Sequence, residues 1–369
     1  MAWAARWSWR LRRQNGLDAA PNGVSRAIAA LRTKKQKIKL QQKVAGLKMK
    51  MAKLIHELGV IKLGLAIVTS LLLAGCGGAV THDKSDFSGL VDIGNGRSIY
   101  IECRGTGSPT VVFVSGLLDR AETWSTSLKS AELAVLPAIA KTNRVCAYDR
   151  PGTVLLVEDD FEKSRSNAVD QPITLEEPVA DLRRLLTAIG ETDPYVLVGH
   201  SAGGAFAKYY ANKFPENVSG LVLVDYLPYP LRKGLTDKGW DIWKKLNSPT
   251  AEALADYREQ ERLDHQKSFE QDSAAAPLKK LPLIVLSSDA PFDFETFVRS
   301  GRLTEKEAEE LSGVLFPVIL AARAGLVAAI PGAKHIAKTN SGHYIHQEQP
   351  KLVTDSVREV IATVRKASS

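Results

Sequence analysis

The chain has 369 residues, of which 44% are hydrophobic and 24% are charged, a composition that excludes a largely disordered protein and suits a folded globular one. Its net charge of +8 is unevenly distributed, because residues 1–75 hold 15 Lys and Arg against two acidic residues, which gives +13. The other 294 residues hold 34 basic and 39 acidic residues, which gives −5. The globular part is therefore mildly acidic, and we predict no nucleic-acid partner for it.

Residues 1–48 form a basic leader to which the sequence assigns no function. Its run RTKKQKIKLQQK is typical of a solvated, disordered segment. Met49 and Met51 are the only methionines besides Met1, and translation from either would give the following segment the length of an ordinary signal peptide.

Residues 49–75 have the pattern of an export signal. Three lysines precede the uncharged run LGLAIVTSLLLAG, which is short for crossing a bilayer. The stretch Leu-Ala-Gly-Cys that ends at Cys76 resembles the lipobox of bacterial lipoproteins. That resemblance implies lipid on Cys76, a polar tether over residues 76–88, and an exported protein anchored to a membrane. The alternative is an uncleaved transmembrane anchor.

Residues 89–226 and 278–366 predict alternating strands and helices. LVDIGNGRSIYIECRG indicates a hairpin turning at Asn95-Gly96, and the apolar run TVVFVSG indicates a strand buried on both faces. A helix is expected over about 123–140, then the strand RVCAYD, a long polar loop and a helix capped by Thr174. This alternation predicts an α/β fold with a mostly parallel, doubly wound sheet and helices on both faces.

The run YVLVGHSAGGAFAKYY places a serine between a predicted strand and a predicted helix. Its centre, Gly199-His200-Ser201-Ala202-Gly203, is the Gly-x-Ser-x-Gly pattern of a nucleophile elbow. A serine on so tight a turn projects its hydroxyl above the sheet, and side chains two positions away would collide with neighbouring backbone. The free N–H groups of the following helix favour negative charge there. Ser201 is therefore the predicted nucleophile.

Residues 227–277 interrupt the alternation and predict an inserted helical cap. Trp240, Trp243 and Leu246 lie in this segment and are expected either to shape an apolar substrate pocket or to form the core of the cap. Beyond the cap, LPLIVLSSD and AKHIAKT predict strands, whereas residues 303–328 and 350–366 predict helices.

The order of elements from Leu90 to Lys366 resembles the α/β-hydrolase superfamily, with a cap between the sixth and seventh strands. The resemblance rests on VVFVSGLLDRAETW, VCAYDRPG, VGHSAGG, GLVLVD and SGHYIH. It implies an eight-stranded sheet, the chain order serine–acid–histidine and an esterase-like or lipase-like activity.

A serine hydroxyl is a weak nucleophile, so it needs a base, and the base needs an acid to orient it. The resemblance implies that the base lies in the loop after the last strand, which favours His343 over the nearby His346. For the acid it leaves two main candidates, Asp289 after the seventh strand and Asp225 after the sixth. We favour Asp289 slightly, although Ser-Ser-Asp-Ala departs from the family's Gly-x-x-Asp, and Asp293 ranks third.

The resemblance also implies an oxyanion hole made by backbone N–H groups. Ala202 follows the nucleophile, and Leu117 follows Ser115-Gly116, where many relatives have His-Gly. In the family's strand order the second and fourth strands are neighbours, so Cys103 and Cys146 could form a cross-strand disulfide or remain two buried thiols.

The sequence has no P-loop, no His-Glu-x-x-His and no Cys-x-x-Cys, so we predict no metal and no cofactor. The predicted function is a serine hydrolase that acts on a small carboxylic ester. A peptidase or thioesterase with the same triad, and a catalytically silent binding protein on the same scaffold, remain alternatives.

Overall fold

The computed structural model describes residues 86–130, 133–157, 160–191, 194–290 and 292–368. The predicted leader at 1–48, the signal at 49–75, the lipid site Cys76 and most of the tether lie outside the described residues.

The described residues contain ten strands: β1 (Phe87–Asp92), β2 (Ser98–Arg104), β3 (Val111–Val114), β4 (Val145–Tyr148), β5 (Val154–Val157), β6 (Asp160–Lys163), β7 (Tyr195–His200), β8 (Val218–Val224), β9 (Leu283–Leu286) and β10 (Lys334–Ile336). Eight of them form the main sheet in the order β1-β2-β4-β3-β7-β8-β9-β10. β2 pairs antiparallel with β1 and β4, and the other neighbours are parallel. The predicted mostly parallel, eight-stranded sheet is confirmed.

The described helices are α1 (Val135–Ala140), α2 (Glu176–Ala188), α3 (Ala202–Lys213), α4 (Asp237–Leu246), α5 (Ala251–Asp256), α6 (His265–Ala274), α7 (Phe294–Arg299), α8 (Glu305–Leu311), α9 (Leu315–Ala329), α10 (Ile345–Glu348) and α11 (Pro350–Ser368). Short 3₁₀ helices span Ala121–Ser125, Pro215–Asn217 and Tyr229–Gly234. The cap segment between β8 and β9 contains α4, α5 and α6.

Alternate residues of the parallel strands pack on opposite faces of the sheet. In β3, Val112 and Val114 join one buried cluster, whereas Val111 and Phe113 join the other. Side chains of α2, α3 and the cap complete the first cluster, and side chains of α1 and α11 complete the second. This two-sided burial explains the continuous apolar runs, and the predicted doubly wound arrangement is confirmed.

Local expectations were wrong in three places. The helix expected at 123–140 is a 3₁₀ turn and α1, because the hydroxyl of Ser127 accepts the N–H groups of Lys129 and Ser130 between them. The helix expected at 303–328 is divided into α8 and α9 at Gly313, whose φ is +74°. The polar loop after β4 contains the hairpin of β5 and β6. Thr174 caps α2 as expected, because its hydroxyl accepts the N–H of Glu176 at 3.3 Å, although Leu175 is the residue directly before the helix.

The stretch Glu305–Ala329 has a mean hydropathy of 1.9 and, by length and composition, is the one described segment that could cross a bilayer. Within the fold its second half, α9, buries Leu315, Ile319 and Arg323. The buried arginine binds the segment that follows β8, as described below.

Cys103 of β2 and Cys146 of β4 are register partners on antiparallel strands, and a disulfide joins them. Both side chains are fully buried. The bond closes a loop with a sequence separation of 43 residues and links the antiparallel edge of the sheet to its parallel centre.

We expect the double substitution Cys103→Ala and Cys146→Ala to lower the free energy of unfolding by about 2–4 kcal/mol, because the bond restricts the unfolded chain. Urea unfolding of the oxidised proteins measures this difference. The control is the same comparison in reductant, where the gap should shrink. Equal stability of the two oxidised proteins would contradict the prediction.

Candidate active site

Ser201 lies at the sharp turn between β7 and α3. Its φ of 54° and ψ of −124° are unfavourable for a residue with a side chain. The turn is held because the N–H of Ser201 donates to the carbonyl of Val224 at 3.1 Å, while the carbonyl of Ser201 accepts from Leu227 at 2.9 Å. Strand β8 and the residues after it therefore stabilise the strained backbone of the serine.

The two glycines around Ser201 are required by the close approach of backbone. A Cβ atom at Gly199 would lie 2.5 Å from the carbonyl oxygen of Gly203. A Cβ atom at Gly203 would lie 2.2 Å from the carbonyl oxygens of both Val114 and Ser115. The spacing Gly-x-Ser-x-Gly thus brings the start of α3 into contact with the end of β3.

His343 forms its side-chain hydrogen bond with Asp225. The distance from Nδ1 of His343 to Oδ2 of Asp225 is 2.6 Å. Since a carboxylate only accepts, Nδ1 carries the proton, and a neutral ring leaves Nε2 free to act as a base. Within the described residues no hydrogen bond joins Ser201 Oγ to His343, although the two residues line the same cavity. Such bonds often tighten only when substrate is present.

His343 bonds Asp225 and not Asp289, the residue that the sequence analysis slightly favoured as the acid. The carboxylate of Asp289 is exposed and accepts the backbone N–H groups of Ser341 and Asn340, each at 3.0 Å. Those bonds lower its pKa and hold the loop that leads to His343. Asp293 is the N-cap of α7. Asp225 reaches His343 because it directly follows β8 with a φ of 44°.

Arg323 of α9 binds the other oxygen of Asp225. Oδ1 of Asp225 accepts from the guanidinium of Arg323 and from the N–H of Ser288, the latter at 2.9 Å. Burial alone would raise the pKa of Asp225, but the charge of Arg323 and the bond from His343 outweigh it and hold this pKa below its usual range. The sequence reasoning missed Arg323, although it is the only charged residue in LFPVILAARAGLVAA, and a buried charge requires a partner.

The cavity beside Ser201 encloses about 590 Å³ of space, open solvent included, and His343 and the segment 116–119 line it. The backbone N–H groups of Leu117 and Ala202 donate no hydrogen bond to any other described residue. They are thus two uncommitted donors on residues near Ser201, and an oxyanion hole requires uncommitted donors of this kind.

A buried ion pair fixes the backbone around Leu117. Arg150 donates to the carbonyls of Ser115 and Gly116 at 2.9 and 2.6 Å and pairs with Glu261 of the cap at 2.5 Å. Glu261 in turn accepts the N–H of Leu118 at 2.8 Å. The sequence reasoning missed both residues. Arg150 lies in the quoted VCAYDRPG, but no local signal pointed to its partner in the cap.

His200 and His346 are buried beside the site. Nε2 of His200 donates to the carbonyl of His343 at 2.9 Å, so this ring supports the loop rather than the serine. Nε2 of His346 is 3.0 Å from the hydroxyl of Thr123, and its ring packs against Trp124 with the centroids 4.6 Å apart and the planes tilted by 39°. His343 therefore lines the cavity with Ser201, whereas His346 packs beneath it.

Residues 111–356 match the family described as the alpha/beta hydrolase family. The Bacillus subtilis protein YqjL is 25% identical over 268 residues, which cover 70% of this chain and 85% of that protein. YbdG of the same organism is 25% identical over 136 residues, so the chain spans only 37% of its length, and 37% of this chain is covered. A putative lipase (lip1) structure from Acinetobacter baumannii aligns over 77% of this chain and 93% of that chain, at 18% identity and a TM-score of 0.45.

Stability should fall in mild acid because of His200. Burial, and then the nearby His346 and His343, hold its pKa well below 6.5. The unfolded chain binds a proton at this ring below about pH 6.5 and the folded chain does not, so acid favours unfolding. We expect His200→Asn to reduce the loss of unfolding free energy between pH 6 and pH 5 by about 1.2 kcal/mol.

Urea unfolding at pH 5, 6, 7 and 8 measures this dependence. Above pH 7 the ring is neutral in both states, so wild type and variant should respond to pH alike. Parallel curves over the whole range would contradict the prediction.

Proposed function

We propose that this chain, which belongs to the alpha/beta hydrolase family, is a serine hydrolase that cleaves carboxylic esters through an acyl-enzyme. Family membership supports hydrolysis in general. The observation that carries the finer proposal is the 2.6 Å bond from His343 to Asp225, on a histidine that lines the same cavity as Ser201.

In the proposed reaction, Oγ of Ser201 attacks the ester carbonyl while Nε2 of His343 takes the hydroxyl proton. The carbonyl oxygen becomes negatively charged, and the N–H groups of Leu117 and Ala202 stabilise it, helped by the N-terminus of α3. Collapse of this intermediate breaks the ester bond, and His343 returns the proton to the leaving alcohol. Water, activated by His343, then attacks the acyl group and releases the acid and free Ser201.

Asp225 holds the His343 ring in the tautomer that this sequence needs. Its lowered pKa keeps the carboxylate ionised wherever the histidine is neutral enough to act as a base. Arg323 contributes the compensating charge, because a carboxylate this buried would otherwise favour its protonated form. Arg323 is therefore a positioning residue in the proposal.

Arg150 and Glu261 have a comparable role at the oxyanion hole. Three carbonyl or N–H groups of the segment 115–118 bind this pair, so the peptide that presents the N–H of Leu117 has little freedom to rotate. Preorganised donors lower the barrier more than donors that must first be ordered. The proposed oxyanion hole thus depends on the carboxylate of Glu261 from the cap.

A silent binding protein is a weaker candidate, because Ser201 on its elbow and a histidine whose Nδ1 donates to the carboxylate of Asp225 are both present. Export and lipidation of Cys76 also remain proposals, supported by the pattern of residues 49–76 alone.

We expect wild-type protein to be labelled by a fluorophosphonate probe and to hydrolyse p-nitrophenyl esters of short acids. Ser201→Ala should remove the label entirely and reduce kcat by at least about 10³-fold, because the nucleophile is lost. Mass spectrometry of the labelled peptide identifies the site. A wild-type protein that neither reacts with the probe nor hydrolyses esters, thioesters or amides would favour a binding function.

The two aspartates give a matched test of the acid. We expect Asp225→Asn to lower kcat by about 10³- to 10⁴-fold, because the amide cannot hold the same histidine tautomer. Asp289→Asn, which alters only the support of the loop, should lower kcat by less than about tenfold. Steady-state ester kinetics on both variants decide the question, and the reverse order of effects would assign the acid to Asp289.

A further inference from the structure

The cavity beside Ser201 has a polar wall that the proposed chemistry does not use. Asn247, Ser248 and Gln260 from the cap segment, together with Arg302 from the turn after α7, form this wall. Trp240 and Trp243, which were candidates for an apolar pocket, do not line the cavity. Their rings stack on each other at 4.7 Å inside the cap.

Arg302 is a half-buried cation without an acidic partner among the described residues. Its Nη2 donates to the carbonyls of Leu246 and Ser248, and its Nη1 and Nε donate to no described group. Burial lowers the pKa of Arg302, and no neighbouring carboxylate offsets that effect. A cation removed from water without a counter-ion is costly, so the site favours an anionic ligand.

Gln260 is a second polar group without a partner at this wall. Its residue is 2% exposed, and its side-chain amide makes no hydrogen bond within the described part of the chain. Leaving a buried amide unsatisfied costs roughly 1–3 kcal/mol, and a ligand with oxygen acceptors would remove that cost. Both uncommitted groups therefore favour the same kind of ligand.

Two carboxylates also line the cavity, and both lie at the oxyanion hole. Glu261 is neutralised by Arg150 and by the N–H of Leu118. Asp119 belongs to the same segment as Leu118, and its Oδ2 is 4.0 Å from Nδ1 of His200. Neither pairs with Arg302, so the charge of the guanidinium remains available to a ligand.

We propose that Arg302 and Gln260 form a carboxylate-binding subsite, so that the preferred substrate is an ester that bears a second, anionic carboxylate group. This inference rests on the proposed ester hydrolysis at Ser201 and adds the class of substrate. The guanidinium attracts the anion, and the amide N–H donates to one of its oxygens. The subsite positions the acid while the ester carbonyl lies at Ser201.

The test uses substrates that differ only in charge. One pair is mono-p-nitrophenyl adipate and its terminal amide, which place the group on the acyl side. The other pair is 4-acetoxyphenylacetate and its amide, which place it on the alcohol side. The measured quantity is the ratio of kcat/KM for acid over amide, and we expect a value of at least about 10 for one pair in wild type, the size of one net charged contact.

Substitutions in the polar wall test whether Arg302 and Gln260 cause the preference for the acid over the amide. Arg302→Gln should bring the ratio to about 1, and Arg302→Lys should retain part of it because the charge is kept. Gln260→Glu should lower the ratio by placing a like charge in the subsite. The matched control is Arg299→Gln, which removes an exposed arginine bonded to Glu295 and should leave the ratio as in wild type. Each ratio is taken within one protein, so a general loss of activity cancels.

Binding of adipate monoamide, measured by calorimetry on Ser201→Ala, gives a readout that needs no catalysis. We expect Arg302→Gln in that background to weaken binding at least tenfold. Ester turnover with a wild-type ratio near 1 for both pairs, or a ratio unchanged by Arg302→Gln, would overturn the subsite and leave the proposed hydrolase intact. Binding that depends on Arg302 without hydrolysis of any ester would instead support the subsite and contradict the proposed function.

Discussion

The candidate site depends on one buried carboxylate, that of Asp225. Its two oxygens bind groups from three different parts of the chain: His343 after β10, Arg323 in α9 and the N–H of Ser288 after β9. A buried carboxylate is stable as an anion only when cations or N–H groups surround it, and each of these partners requires the sheet to be assembled in its observed order. Formation of the acid–base pair is therefore coupled to completion of the fold.

Unfavourable backbone conformations are concentrated where that fold presents its functional groups. Five described residues other than glycine have positive φ, and four of them are Leu118, Ser201, Asp225 and Asn340. They occupy the predicted oxyanion segment, the predicted nucleophile, its proposed acid and the loop before the proposed base. Such conformations persist only when surrounding contacts enforce them. The bonds that the N–H of Ser201 donates to Val224 and the N–H of Leu118 donates to Glu261 are contacts of this kind.

The cap contributes residues to the candidate site itself and does not only lie over it. Glu261 fixes the backbone near Leu117, while Gln260, its neighbour in sequence, lines the cavity as a polar wall. In this short segment of the cap, Glu261 thus supports the proposed oxyanion hole and Gln260 supports the proposed substrate preference. Substitutions in this segment should change both rate and selectivity, whereas substitutions at the stacked tryptophans should act on stability.

The family resemblance supplied the histidine loop, whereas the sequence by itself determined the α/β architecture and the elbow at Ser201, because apolar periodicity and glycine spacing are local consequences of burial and backbone clearance. It could not choose between Asp225 and Asp289, since both follow parallel strands that end at the same edge of the sheet. Only the tertiary structure decided which of them bonds His343, through a turn with positive φ that directs Asp225 at that ring. Arg323, Arg150 and Glu261 escaped prediction for the same physical reason. A buried charged residue can be identified in a sequence only when its oppositely charged partner can also be found. Here the two members of each pair lie 98 or 111 residues apart along the chain.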